Sequence, residues 1–202
     1  MAVCDEDLLD LVIRSLSGTR YPISEAKEFL PDSPGLYAIH ASREVWTVLG
    51  LAHRAEVPLY VGKAEDSLIS RDLNTHFAVD PEAAPKTGSS TVRRSFAALL
   101  RGSLNLRGVP RNRLKPGYFA HYGLEDEADR RLTGWMQSHL TLAYWRRPPN
   151  LQYKLADVEK AVLKKWDPPV NLQNSPTKLP RLLAERAEMK IEASAWAQED
   201  DH

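Results

Sequence analysis

Three short β-prone runs set the limit on what this chain can fold into. Residues 35–41 (GLYAIHA), 57–62 (VPLYVG) and 140–145 (LTLAYW) are apolar or alternating and are bounded by turn residues. Almost everything between them carries helical periodicity or loop composition. Residues 5–16 place Leu8, Leu9, Val12, Ile13 and Leu16 on one stripe. Further helices are expected over 24–30, 66–77, 90–104, 126–139, 156–166 and 179–195, with a short helical insertion between the first two strands. Residues 105–117, with two glycines and two prolines, read as a basic loop. So few strands among so many helices predict an α+β chain: a small three-stranded antiparallel sheet flanked by helices, with extra terminal helices. The expected division is a helical extension over 1–30, a central domain over 31–175, and a C-terminal helix with an acidic tail over 176–202.

With 202 residues, 43% hydrophobic, the chain is long enough to bury a core of its own. One cysteine, Cys4, excludes an intramolecular disulfide framework and a cysteine-based zinc site. No apolar run approaches the roughly 20 residues that cross a bilayer. The N-terminus, MAVCDEDLLD, is acidic where a secretory signal is basic, so a cytoplasmic location without membrane association is expected.

The net charge is zero, with 27 basic and 27 acidic side chains, which taken alone argues against a nucleic-acid partner. The distribution argues otherwise. Residues 83–124 hold eight basic side chains and no acidic one, leaving a net of minus eight elsewhere. Seven carboxylates precede Gly35 and six lie from Glu185 onward. Two explanations stand: a basic face that pairs internally with the acidic ends, or a surface for polyanions. Arg94 and Arg101, seven apart, share a helix face behind a serine-rich N-terminus, with Arg93 adjacent. Such a turn is a plausible phosphate seat.

Glu159 is the most informative single position. On a helical wheel Leu155, Val162, Leu163 and Trp166 fall within about 60° of it, with Asp157, Lys160, Lys164 and Lys165 opposite. A carboxylate inside an apolar stripe is costly unless it is paired or binds a cation; an exposed glutamate that complements the helix dipole is the alternative. Twelve residues on, Asn171 comes after Pro168-Pro169-Val170, a rigid turn able to return a polar side chain toward the sheet. Tyr37 and Tyr60 lie in strands beside Gly35 and Gly62. Taken singly, each tyrosine is more simply a core residue with a satisfied hydroxyl.

The ordered set Gly35-Leu36-Tyr37, Tyr60-Val61-Gly62-Lys63, Arg71, Glu159 and Pro169-Val170-Asn171 resembles the GIY-YIG nuclease family over roughly residues 30–175. It is also similar to the nuclease modules of the bacterial excision-repair incision enzyme and of GIY-YIG restriction enzymes. The resemblance implies a divalent-metal-dependent DNA endonuclease that hydrolyses phosphodiesters. Glu159 would hold one Mg²⁺ or Mn²⁺, Tyr37 would act as general base, and Arg71 and Lys63 would supply positive charge. Tyr60 would bond the phosphate or the water, and Asn171 would orient the site. Gly35, Gly62, Arg93, Arg94 and Arg101 are the candidate substrate contacts.

Two departures from the pattern are conservative: Leu36 and Val61 stand where the motifs carry isoleucine. A third concerns His76. Many members place a histidine four residues after the arginine, whereas Arg71 and His76 are five apart, about 140° around a helix. His76 aligns instead with Ile69, Leu73 and Phe77, which favours a packed histidine. His40, beside the first strand, is a further candidate. A non-cleaving nucleic-acid-binding module of the same fold is the alternative function. Oligomeric state and sequence preference are not encoded in any recognisable motif.

Overall fold

The computed structural model describes residues 5–69, 77, 87–112 and 117–199. Four strands form one antiparallel sheet: β1 (Tyr21–Pro22), β2 (Gly35–Ala41), β3 (Tyr60–Ala64) and β4 (Leu140–Arg146), in the order β1-β4-β2-β3. The central strand β2 pairs Tyr37 with Gly62 of β3 on one side and with Tyr144 of β4 on the other. Beyond the three expected strands, β1 joins as a fourth. It is two residues long and contains Pro22, which cannot donate to a ladder and so hides the strand from pattern recognition.

Both faces of the sheet are covered, because alternate residues of β2 point to opposite sides. Leu36 and Ala38, with Val61 and Trp145, pack against Val12 and Leu16 of α1 (Glu6–Ser17). The same cluster takes in Leu155, Val158, Val162, Leu163 and Trp166 of α5 (Leu155–Trp166). Tyr37 and Ile39 pack on the other face. Their neighbours come from α2 (Arg43–Val48), α3 (Thr91–Leu99), α4 (Asp126–His139) and α6 (Pro180–Glu199). The α-helices and the sheet thus make a mixed α+β fold in which the small sheet lies between helical layers.

Local signals set several element ends. Asp5 caps α1 by accepting from the Asp7 amide at 3.0 Å. Ser90 caps α3 by accepting from the Arg93 amide at 3.1 Å. The helix α3 ends at Leu99, five residues before its expected end. The chain leaves it through a turn with Asn105 in the left-handed region (φ 48°). The helix expected over 24–30 is a 3-10 segment, Ile23–Glu28. The helix expected over 66–77 lies largely outside the described residues. Among the described residues no helix is long and apolar enough to cross a membrane.

The end of α5 directs the chain toward the sheet. Asp167 adopts a left-handed conformation (φ 48°) that stops the helix, and Pro168 and Pro169 prevent its continuation. The terminal carbonyls of Trp166 and Asp167 accept from the Arg54 guanidinium at 2.7 and 2.8 Å. The Asp167 carboxylate accepts from the Ser175 hydroxyl at 2.6 Å and the Thr177 amide at 3.0 Å. These bonds hold it below the usual carboxylate range against a desolvation that acts the other way. The turn after α5 is thereby fixed and is laid along the outer edge of β3.

Candidate active site

Tyr37 starts in the middle of the central strand, one strand away from the open edge of the sheet. It reaches outward because its cross-strand neighbour on β3 is Gly62. A Cβ at Gly62 would collide with Cζ and Oη of Tyr37, so the phenol lies over bare backbone. Tyr37 is 1% exposed, and its ring centroid is 6.1 Å from that of the half-buried Tyr60, on the same face of the sheet. Gly35 answers to a different constraint. A Cβ there would run into the Trp145 carbonyl and come within 2.9 Å of Leu68 Cδ1, so this glycine serves close packing.

From the other face come Lys63, which alternates with Gly62 along β3, and Glu159, from the middle of α5. The residues flanking Glu159 on its helix, Leu155, Val158, Val162 and Leu163, are buried against the sheet, and this fixes the direction in which the glutamate projects. Lys63 forms an ion pair with Glu65. Because β3 is an edge strand, side chains from both faces can meet there.

Asn171 secures that edge. Its Oδ1 accepts from the Val61 amide at 2.8 Å, and its Nδ2 donates to the Val61 carbonyl at 2.8 Å. Next to it, the Val170 amide donates to the Leu59 carbonyl at 3.0 Å. Tyr37, Tyr60, Lys63, Glu159 and Asn171 all line one cavity of about 180 Å³, completed by Thr91, Leu172, Gln173 and Asn174. No sequence motif marks Thr91, Gln173 or Asn174 as a site residue. The only trace of Thr91 is its place in the serine-rich turn, and the two amides come after a proline turn whose direction depends on Asp167.

Arg71 and His76 lie outside the described residues. The arginines of the basic block are dispersed by the fold. Arg93 is 0% exposed; it pairs with Asp129 at 2.6 Å and donates to Thr133 at 2.8 Å and Thr87 at 3.2 Å. The hydroxyl and amide of Thr87 also bond the Asp129 carboxylate, completing a buried network. A phosphate has no access to Arg93 there. Arg101 lies beyond the end of α3 and pairs with Glu185 at 3.2 Å and Glu192 at 2.7 Å, both on α6. For these two arginines the internal-pairing explanation fits the positions better than a substrate contact does. Arg94 differs from them, since it donates to the Gly88 carbonyl at 2.7 Å and the Thr91 hydroxyl at 3.1 Å and meets no carboxylate among the described residues.

His40 is buried away from the cavity, with Nε2 2.8 Å from the Leu16 carbonyl. Its pKa is pushed down to about 4, chiefly by burial and secondarily by the charge of Arg20. The neutral imidazole therefore donates to Leu16 and ties α1 to β2. Among the described residues no cluster of three or more histidine, cysteine, aspartate or glutamate side chains is present, and Glu159 is the acidic side chain of the cavity lining.

Within the described lining, one carboxylate shares a polar cavity at a sheet edge with two tyrosines and a lysine, an arrangement able to hold a cation next to a proton acceptor. The family model described as the GIY-YIG catalytic domain matches residues 35–189. No curated protein and no solved structure matches the chain. The matched span covers more than half of the chain and includes every residue that lines the cavity, and the chain therefore belongs to the GIY-YIG family, a family of nucleases.

Proposed function

We propose that the chain is a divalent-metal-dependent DNA endonuclease whose hydrolytic site is the cavity at the edge of β3. One observation carries the reading: Tyr37 and Glu159, which start on opposite faces of the sheet, line the same polar cavity. The donor set suits a hard, hydrated cation. One carboxylate among hydroxyl and amide groups leaves most ligand positions to water and phosphate oxygens, as Mg²⁺ prefers and Mn²⁺ tolerates. A cavity of about 180 Å³ has room for an ion with part of its hydration shell.

Glu159 would hold the ion, and when bound it supplies Lewis-acid polarisation of the phosphodiester. The chain's own residues do the rest. Tyr37 takes the proton of the attacking water at Oη, a role that requires a phenol more acidic than the ordinary value near 10. Lys63, which also pairs with Glu65, brings its ammonium group to the same cavity. Tyr60 donates from its hydroxyl to a phosphate oxygen or to the water. Asn171 acts indirectly, since both of its amide groups are bonded to Val61 and so hold β3, with Tyr60 and Lys63, in place. Arg71, which the resemblance makes the brace of the pentacoordinate phosphate, completes the set.

Nicking of supercoiled plasmid tests the reading, with Mg²⁺, Mn²⁺ or EDTA present. Cleavage is expected with metal alone, and Tyr37→Phe and Glu159→Gln should each lower the rate by about 10²–10⁴-fold. Cleavage in EDTA, or cleavage insensitive to both substitutions, would overturn the mechanism. Tight DNA binding with no cleavage under any metal would establish the non-cleaving module instead.

A further inference from the structure

The Gly88–Thr91 turn that leads into α3 gathers three guanidinium groups from distant parts of the chain. Arg94 donates to the Gly88 carbonyl and the Thr91 hydroxyl. Arg111 packs its methylene stem on Gly88 and donates to the Ser89 hydroxyl at 3.2 Å. Arg186, from α6, donates to the Ser95 hydroxyl at 3.2 Å and to the Thr91 carbonyl at 3.5 Å. Every acceptor is neutral. Among the described residues none of the three meets a carboxylate, whereas Arg93 and Arg101 each do.

Like charges crowded this way oppose one another. Arg94 is 4% exposed, and its Nε has no hydrogen-bond partner among the described residues. Its pKa is lowered to about 10, first by burial and then by Arg186 and Arg111, with Tyr122 and Tyr118 acting the other way. His121 is lowered too, by desolvation first and then by Arg94, Arg111 and Arg186. A buried guanidinium with an unmet donor, beside two further cations and with no ion pair to any of the three among the described residues, is a site short of an anion, although Asp126 and Asp129 line another cavity together with Arg111.

The position of this cluster identifies the anion. Thr91 lines the catalytic cavity, its hydroxyl takes Arg94, and its carbonyl takes Arg186, so the cluster borders the place where the scissile phosphate would lie. We propose that Arg111 and Arg186, with the charge of the buried Arg94 behind them, hold a backbone phosphate of the nucleic-acid strand flanking the scissile one. This inference rests on the nuclease reading of the cavity but adds to it a residue from α6. Planar guanidinium groups match phosphate oxygens bidentately. The contact fixes register and carries no base information. It also gives α6 two roles, since Glu185 and Glu192 neutralise Arg101 while Arg186 stays available to substrate.

The test is binding of a fluorescein-labelled DNA duplex in EDTA, where cleavage plays no part, measured across salt concentrations by anisotropy. Arg94 is buried and its variants are at risk of misfolding, so Arg111→Ala and Arg186→Ala carry the experiment, each checked by thermal melting. Each is expected to weaken binding about tenfold and to lower the salt slope by about 1. Arg186→Lys should retain the slope but bind more weakly than wild type. Lys27→Ala, at an exposed position of the 3-10 segment, should bind as wild type does. If the wild type binds and both alanine variants match it in affinity and slope, the proposal is overturned while the nuclease reading stands. Weakened binding in the variants, from a wild type that never nicks plasmid, would uphold the phosphate seat and overturn the cleavage reading. A wild type that does not bind DNA overturns both.

Discussion

Asn171 bonds both backbone groups of Val61, the amide and the carbonyl, each at 2.8 Å, across 110 residues of sequence. A side-chain amide here does what a neighbouring strand would do for the edge of β3. Asn171→Ala leaves two buried backbone groups without partners and should destabilise the fold by about 2–4 kcal/mol. Asn171→Asp keeps the acceptor but sets a carboxylate against the Val61 carbonyl, and should be at least as damaging. Urea unfolding gives both values. If Asn171 positions the strand, kcat will fall with little change in KM.

Gly62→Ala places a methyl group where the Tyr37 phenol lies. We expect a stability loss of about 1–3 kcal/mol from overpacking, together with a fall in nicking rate of at least about 100-fold as Oη is displaced. Gly134→Ala, in α4 with open space at the Cβ position, should be neutral or slightly stabilising. Parallel melting curves and nicking assays on the two variants check both statements.

Removing one partner of the Arg93–Asp129 pair leaves the other charge buried. Asp129→Ala is expected to cost about 3–5 kcal/mol, read from denaturant unfolding. Where the variant stays folded, the salt slope of DNA binding should match the wild type. A steeper slope would show that Arg93, released from its carboxylate partner, reaches the nucleic acid.

His40 makes stability depend on pH. Its folded pKa of about 4 lies below the ordinary 6.5, so the unfolded chain takes up the proton first as pH falls. The contribution is whole above about pH 6.5 and is lost progressively as pH drops to 4, amounting to about 3 kcal/mol. Unfolding free energies at pH 7.5 and pH 5 should therefore differ more for the wild type than for His40→Gln.

How much of the molecule was legible in the sequence depended on the range of the interactions involved. Helix α4 runs from Asp126 to His139 as its periodicity and flanks predict, and the apolar stripe around Glu159 correctly gives the buried face of α5. Tyr37, Tyr60, Lys63, Glu159 and Asn171 could be grouped because their motifs follow one another in a fixed order, whereas Thr91, Gln173 and Asn174 join the cavity without one. The arginines could not be sorted in the same way. Arg93, Arg94 and Arg101 look alike in sequence, and their fates depend on Asp129, Arg186 and Glu192, which lie 36 to 92 positions away. The zero net charge hides the same division: part of the basic block is neutralised within the fold, and part is gathered beside Thr91.

The strap that Asn171 lays along β3 also sets when the site can exist. Ribosomal synthesis delivers Tyr37, Tyr60 and Lys63 long before Glu159 and Asn171. A nascent chain that has emerged only through β4 has both tyrosines but neither the carboxylate of the cavity nor the cover for its sheet edge. That edge remains open to unwanted strand pairing until residues 170 and 171 close it. Protection of the edge and completion of the cavity are therefore one event in the life of the chain.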